Sequence, residues 1–120
     1  MSAAREKEAL AFAIDAARLA ASTRCQSVVV LDVRGISPVT DFMVLATGTS
    51  GRQMHTVCNE VAELAAARGQ QPLAQSGTDG ETWMLVDFVD VVVHLFNAQS
   101  RAYYDLDGLW GDAKIVPWKK

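Results

Sequence analysis

The chain has 120 residues, 50% of them hydrophobic and 21% charged, with 8 Gly and 3 Pro. That supports one compact core and excludes a disordered, collagen-like or linker-dominated chain. Eleven Lys/Arg against 14 Asp/Glu leave a net charge of −3, which argues against non-specific DNA or RNA binding and favours a basic protein partner.

Apolar residues at Leu10, Ile14, Ala17 and Ala21, flanked by Ala9, Phe12, Ala13, Ala16 and Leu19, predict a helix from Ala4 to about Ala21. Its Ala-rich start superficially suggests a transit peptide, but Glu6, Glu8 and Asp15 interrupt that pattern. Ser27–Val33 is a nearly continuous β-branched run, suited to a strand covered on both faces. Gly35 and Pro38 punctuate a turn before a second strand, Asp41–Ala46. Ser50, with Gln53 three positions on, reads as the cap of a helix carrying Met54, Val57, Cys58, Val61, Leu64 and Ala65, stopped by Gly69.

Gln71–Gln75 is a short edge strand at most, because Pro72 cannot donate to a central ladder. A polar loop over Ser76–Glu81 follows. Trp83–Phe88 and Val91–Phe96 have almost nothing between them, which predicts a tight antiparallel hairpin. Ser100–Trp110 returns to helical spacing. The expected class is α+β (mixed α/β), a sheet of about five strands with both long helices on it. All 120 residues are expected to form one domain, with 1–8 and 111–120 flexible or peripheral. No apolar run approaches the ~18 residues of a membrane span, and no membrane partner is expected.

Candidate chemistry is sparse. Asp32, Asp41, Asp87 and Asp90 could in principle hold a divalent metal for nucleotidyl transfer. Asp87 and Asp90, however, flank a turn, where Asp is favoured for other reasons. Gly48-Thr49-Ser50-Gly51 could cradle an anion, but it lacks the lysine of a phosphate-binding loop, and capping by Ser50 explains it. His55 and Cys58 make at most two metal ligands, and Cys25 and Cys58 read as reduced thiols of a cytoplasmic protein. His94 alternates with Val92 and Phe96, as a hydrogen-bonded core histidine would. No catalytic residue, cofactor or metal site is indicated. The hairpin instead offers Trp83, Leu85 and Asp87 on one face and Met84, Val86 and Phe88 on the other, with two apolar residues in the turn. Aromatic side chains of this kind dominate protein–protein contacts.

Taken in order, Asp32-Val33-Arg34-Gly35, Thr40-Asp41-Phe42-Met43-Val44, Thr47-Gly48-Thr49-Ser50, Trp83, Asp87, Asp90-Val91-Val92-Val93-His94-Leu95-Phe96, Tyr104-Asp105-Leu106 and Leu109-Trp110 resemble the ribosomal silencing factor (RsfS, or Iojap) family. The resemblance runs from about Leu10 to Trp110. It implies a five-stranded mixed sheet related to nucleotidyltransferases but without their active-site acids. It further implies a non-enzymatic translation regulator that binds large-subunit ribosomal protein fourteen, blocks joining of the small subunit, forms homodimers in some members and assists large-subunit assembly in organelles. By position, the partner-binding residues would be Trp83 as aromatic anchor, Phe88 as apolar tip, Tyr104 at the edge, and Asp87 and Asp90 on the rim. The competing reading is a metal-dependent nucleotidyltransferase-like enzyme using Asp32, Asp87 or Asp90. Val89 departs from the family, since many relatives carry Gly there. A β-branched residue resists positive φ, so a wider hairpin or a bulge at Asp90 is expected.

Overall fold

The structure, a computed structural model, describes residues 3–77 and 80–119. Thr78 and Asp79 of the predicted polar loop lie outside the described residues, as do Met1, Ser2 and Lys120 of the segments expected at the periphery. The elements in chain order are α1 (Ala3–Ser22), β1 (Gln26–Asp32), β2 (Phe42–Thr47), α2 (Gly51–Ala67), β3 (Ala74–Ser76), β4 (Trp83–Asp87), β5 (Val91–Phe96), α3 (Ala98–Tyr104), α4 (Leu106–Leu109) and β6 (Lys114–Val116). The strands form one mixed sheet in the order β3-β4-β5-β2-β1-β6. Among the described residues, only β2 and β5 pair in parallel, which requires the crossover that contains α2.

The α+β class holds, with six strands among the described residues where about five were expected. The extra strand comes from the C-terminal segment. β6 pairs antiparallel with β1, and just beyond it the Trp118 indole N–H donates to the Val28 carbonyl at 3.0 Å. Arg18 in α1 donates to the Trp118 carbonyl, so this edge is tied to both the sheet and a helix. At the other end of the chain, α1 begins at Ala3, Arg5 pairs with Asp90, and Glu6 with Arg34.

The strands buried on both faces are β2 and β5, not the β-branched run of β1. A bulge between Gln26 and Val29, with Ser27 at φ +50°, turns the start of β1 outward. α1 and α2 lie on one face. There Ala9, Ala13, Ala16, Ala17 and Ala20 bring α1 close, and Phe12, Phe42, Val44, Val57, Val61, Met84, Val86 and Leu95 fill the layer. α2 begins and ends where its caps predict. Ser50 Oγ accepts from Gln53 N at 3.1 Å, and Gly69 takes φ +76° just past the last turn.

The opposite face has a smaller cluster of Leu31, Val33, Met43, Leu45 and Phe96, roofed by Leu106, Trp110 and Ala113. The roof is two short helices rather than the single one predicted. Asp105 adopts φ +47°, ends α3 and caps α4 by accepting from Gly108 N. A side chain at Gly108 would collide with that capping carboxylate.

Candidate functional site

β4 sorts its residues as alternation demands. Met84 and Val86, and Phe88 just beyond the strand, point beneath the helices, whereas Trp83, Leu85 and Asp87 stand half-buried on the other face. At the start of β4, the Trp83 ring stacks on Phe96 across the hairpin, with centroids 5.1 Å apart, and packs against Tyr104 from α3 at 4.7 Å. Its indole N–H donates to His94 Nδ1 at 3.1 Å. Tyr104 and Tyr103 meet edge to face at 5.1 Å and are 51% and 81% exposed. The result is an aromatic patch with a rigid floor of Phe96 and His94 and an open rim of tyrosines.

Two features hold this patch in place. Arg101 in α3 donates to Thr47 Oγ1 at 3.0 Å and to the Ser27 carbonyl that the β1 bulge turns outward, and it pairs with Asp107. That clamp seats α3 on the sheet and so sets Tyr104 against Trp83. On the far side, Gly77 at φ +76° passes so close to the Trp83 carbonyl that any side chain there would clash. Ser76, Gly77, Trp83 and Leu85 line a shallow apolar pocket of about 200 Å³ beside the ring.

Of the five residues assigned to partner binding, the structure brings together Trp83 and Tyr104. Asp87, Phe88 and Asp90 lie at the other end of β4, four strand steps or about 13 Å away. Phe88 is not an apolar tip. It is 7% exposed, sits in the main core and meets Phe12 edge to face at 5.0 Å. The tip is Val89, 42% exposed, at φ +75°. Asp90 N donates to the Phe88 carbonyl at 3.0 Å, which makes a γ-turn centred on Val89. The expectation that a β-branched residue would avoid positive φ is therefore overturned. Asp87 Oδ1 accepts from Val89 N at 2.7 Å, and the Asp90 carbonyl accepts from Asp41 N and Phe42 N. The tip is pinned from both sides, and this over-determination holds the strained residue.

Three of the four carboxylates considered for metal chemistry are engaged elsewhere, whereas Asp41 Oδ2 is buried with no hydrogen-bond partner among the described residues. Asp90 takes a bidentate contact from Arg5, and Asp32 one from Arg34, whose guanidinium holds the Asp32 carboxyl below its usual range. The Asp41 carboxyl is raised, by burial first and then by the nearby Asp90 charge. Among the described residues no group of three or more His, Cys, Asp or Glu could hold a metal ion. At the Gly48–Gly51 junction, Gln53 accepts from Thr49 N and donates to the Thr23 carbonyl, while Glu81 lies over Gly51. The α2 N-terminus is thus covered by the chain's own groups. Cys25 and Cys58 are buried thiols, each pushed up to about 11 chiefly by burial. No helix of the described residues is long and apolar enough to cross a membrane.

His94 is the buried, hydrogen-bonded core histidine expected from strand alternation. Its part in the patch, like those of Phe96, Tyr103 and Arg101, did not emerge from the sequence. Adjacent Tyr103 and Tyr104 carried a usable signal, because neighbouring helical positions lie about 100° apart and cannot both face the sheet. Arg101 carried none, since its acceptors on the sheet, the Thr47 hydroxyl and a Ser27 carbonyl exposed by a bulge, are distant in sequence.

Comparison with known proteins gives a consistent result. The family pattern described as "Ribosomal silencing factor during starvation" matches residues 6–120. Ribosomal silencing factor RsfS of Bacillus subtilis is 39% identical over 93 residues, 78% of this chain and 79% of its own. Protein Iojap of the Zea mays chloroplast is 31% identical over 111 residues, covering 92% of this chain and 48% of its own. Two crystal structures share the fold. A Bacillus halodurans protein has a TM-score of 0.75 and 32% identity, covering 92% of this chain and 98% of its own. A Chromobacterium violaceum protein has a TM-score of 0.79 and 28% identity, covering 100% and 94%.

Proposed function

The chain belongs to the ribosomal silencing factor family, and on that premise we propose that it represses translation by docking on the large ribosomal subunit through ribosomal protein fourteen. The body then stands on the subunit-joining face and excludes the small subunit sterically. No bond is made or broken, so the protein acts without catalysis or cofactor, in the cytoplasm. The observation that carries this reading is the patch of Trp83, Tyr104 and Tyr103. It consists of aromatic rings left partly open at one rim of the sheet while their floor is packed and hydrogen bonded. Such preorganised aromatic side chains are the usual anchors of protein interfaces. Asp87 on the same face and the net charge of −3 suit a basic partner and repel bare RNA. Asp90, held by Arg5, shapes the rim beside Val89.

Because Phe88 is core, the test uses the aromatic pair. Trp83→Ala combined with Tyr104→Ala is expected to abolish co-sedimentation with purified large subunits and restore their joining to small subunits, with the far-ultraviolet circular dichroism retained. Each anchor is expected to contribute about 2–4 kcal/mol. Unimpaired co-sedimentation of the folded double variant would refute the assigned surface. A wild-type dimer by light scattering that Trp83→Ala converts to monomer would reassign the patch to self-association.

A further inference from the structure

We propose that His94 is a positioning residue of the docking surface: its Nδ1 accepts the Trp83 indole N–H and so fixes the plane and rotation of the ring offered to a partner. This rests on the docking reading above and deepens it.

The remaining contacts of the Trp83 ring constrain its rotation less than a hydrogen bond does. Stacking on Phe96 and Tyr104 supplies apolar contact, which is not directional, and the ring sits at a rim where solvent competes for it. The hydrogen bond to His94 is directional, and it comes from a well-fixed part of the molecule. His94 lies in β5, which pairs with a strand on each side, and its register partners are Leu85 and Leu45. It is 5% exposed.

Packing alone does not call for histidine at that place. A nitrogen that accepts from indole leaves the imidazole proton on Nε2. Nε2 is buried and, among the described residues, has no hydrogen-bond partner. Leucine or phenylalanine would fill the same row without an unpaired buried donor, which is costly. What histidine supplies and those residues cannot is the acceptor aimed at Trp83. Burial between apolar neighbours also holds the ring neutral, its pKa lowered to about 4, so the Nδ1 lone pair stays available at neutral pH. The Asp87 charge opposes that shift without reversing it.

The test pairs binding with a direct view of the bond. His94→Phe keeps an aromatic ring but removes the acceptor, whereas His94→Asn places an amide oxygen close to the position of Nδ1. We expect His94→Phe to weaken binding to purified large subunits roughly tenfold, the scale of one lost hydrogen bond. The Trp83 indole resonance in a 1H–15N spectrum should move toward its solvent-exposed position. His94→Asn should restore the resonance and bring binding back to within about threefold of wild type. Wild-type binding by folded His94→Phe, or equal losses in both variants, would overturn the proposal. So would a wild-type spectrum showing the His94 proton on Nδ1, a readout that requires no variant to fold. Trp83→Ala separates the two claims. If it binds normally, the docking reading falls and takes this one with it. If it fails to bind while His94→Phe binds fully, the positioning role alone is refuted.

Discussion

On the sheet face covered by α1 and α2, Phe12, Phe42, Met84, Val86 and Leu95 are all 2% exposed or less, whereas on the other face Trp83 and Leu85 are partly open and neighbouring Tyr104 is 51% exposed. The first face is closed by an alanine-lined helix that can approach the strands closely, together with the apolar side of α2. The second is roofed by α3 and α4, too short to cover the whole sheet, and the uncovered margin is where the rings collect. One sheet thus carries both jobs. Closing one face leaves the other free to keep apolar surface in contact with water without loss of the fold.

Phe88→Ala tests that division most severely. The ring belongs to the closed face, so its loss should cost about 3–5 kcal/mol in urea unfolding while binding per folded molecule stays unchanged. A binding defect at unaltered stability would return Phe88 to the docking surface and blur the distinction between the faces. Acid sharpens the comparison next. Between pH 6.5 and about 4 the unfolded chain takes up a proton at His94 before the folded one does. Stability should therefore fall with pH across that window, by up to about 3 kcal/mol. His94→Phe should flatten that part of the profile, and an unchanged slope would contradict a buried neutral ring. Below about pH 4, Asp32 and Asp107, held low by Arg34 and Arg101, add further loss. Asp41, held high, acts above its ordinary value of 3.8, where it takes up its proton first in the folded chain and partly offsets the His94 loss. The smallest effect belongs to the hairpin tip. Val89→Gly relieves a positive φ that valine adopts poorly and should add about 1 kcal/mol, a rise in Tm of about 4 °C by calorimetry. A fall would show that contacts of the valine side chain outweigh its backbone strain.

Most of the closed face was legible in the sequence. Helical periodicity and the Ser50, Gln53 and Gly69 signals located α2 within a residue or two, and two-residue alternation assigned the faces of β4 correctly. These signals are local. The misses are long-range or backbone effects. Phe88 was expected at the tip from its position in the family resemblance, but burial against Phe12 in a distant helix decided its place. The break at Asp105 depends on a left-handed residue capping the next turn, which competes with helical spacing that continues through it. β6 is only three residues long and has meaning only beside β1. In the candidate site, Trp83 and Tyr104 were named by their positions in the family resemblance, whereas the His94 bond and the Arg101 clamp follow from strand pairing and a bulge that no short-range pattern encodes.

The pairing of β6 with β1 also bears on how the molecule is made. A growing polypeptide has α1 and β1 early, yet the outer neighbour of β1 arrives only with residues 114–116. Until then that flank stays an unfinished template, open to mispairing with other chains. Delayed completion of this kind slows folding, so a protein proposed to sit on ribosomes remains incomplete for most of its own passage out of one.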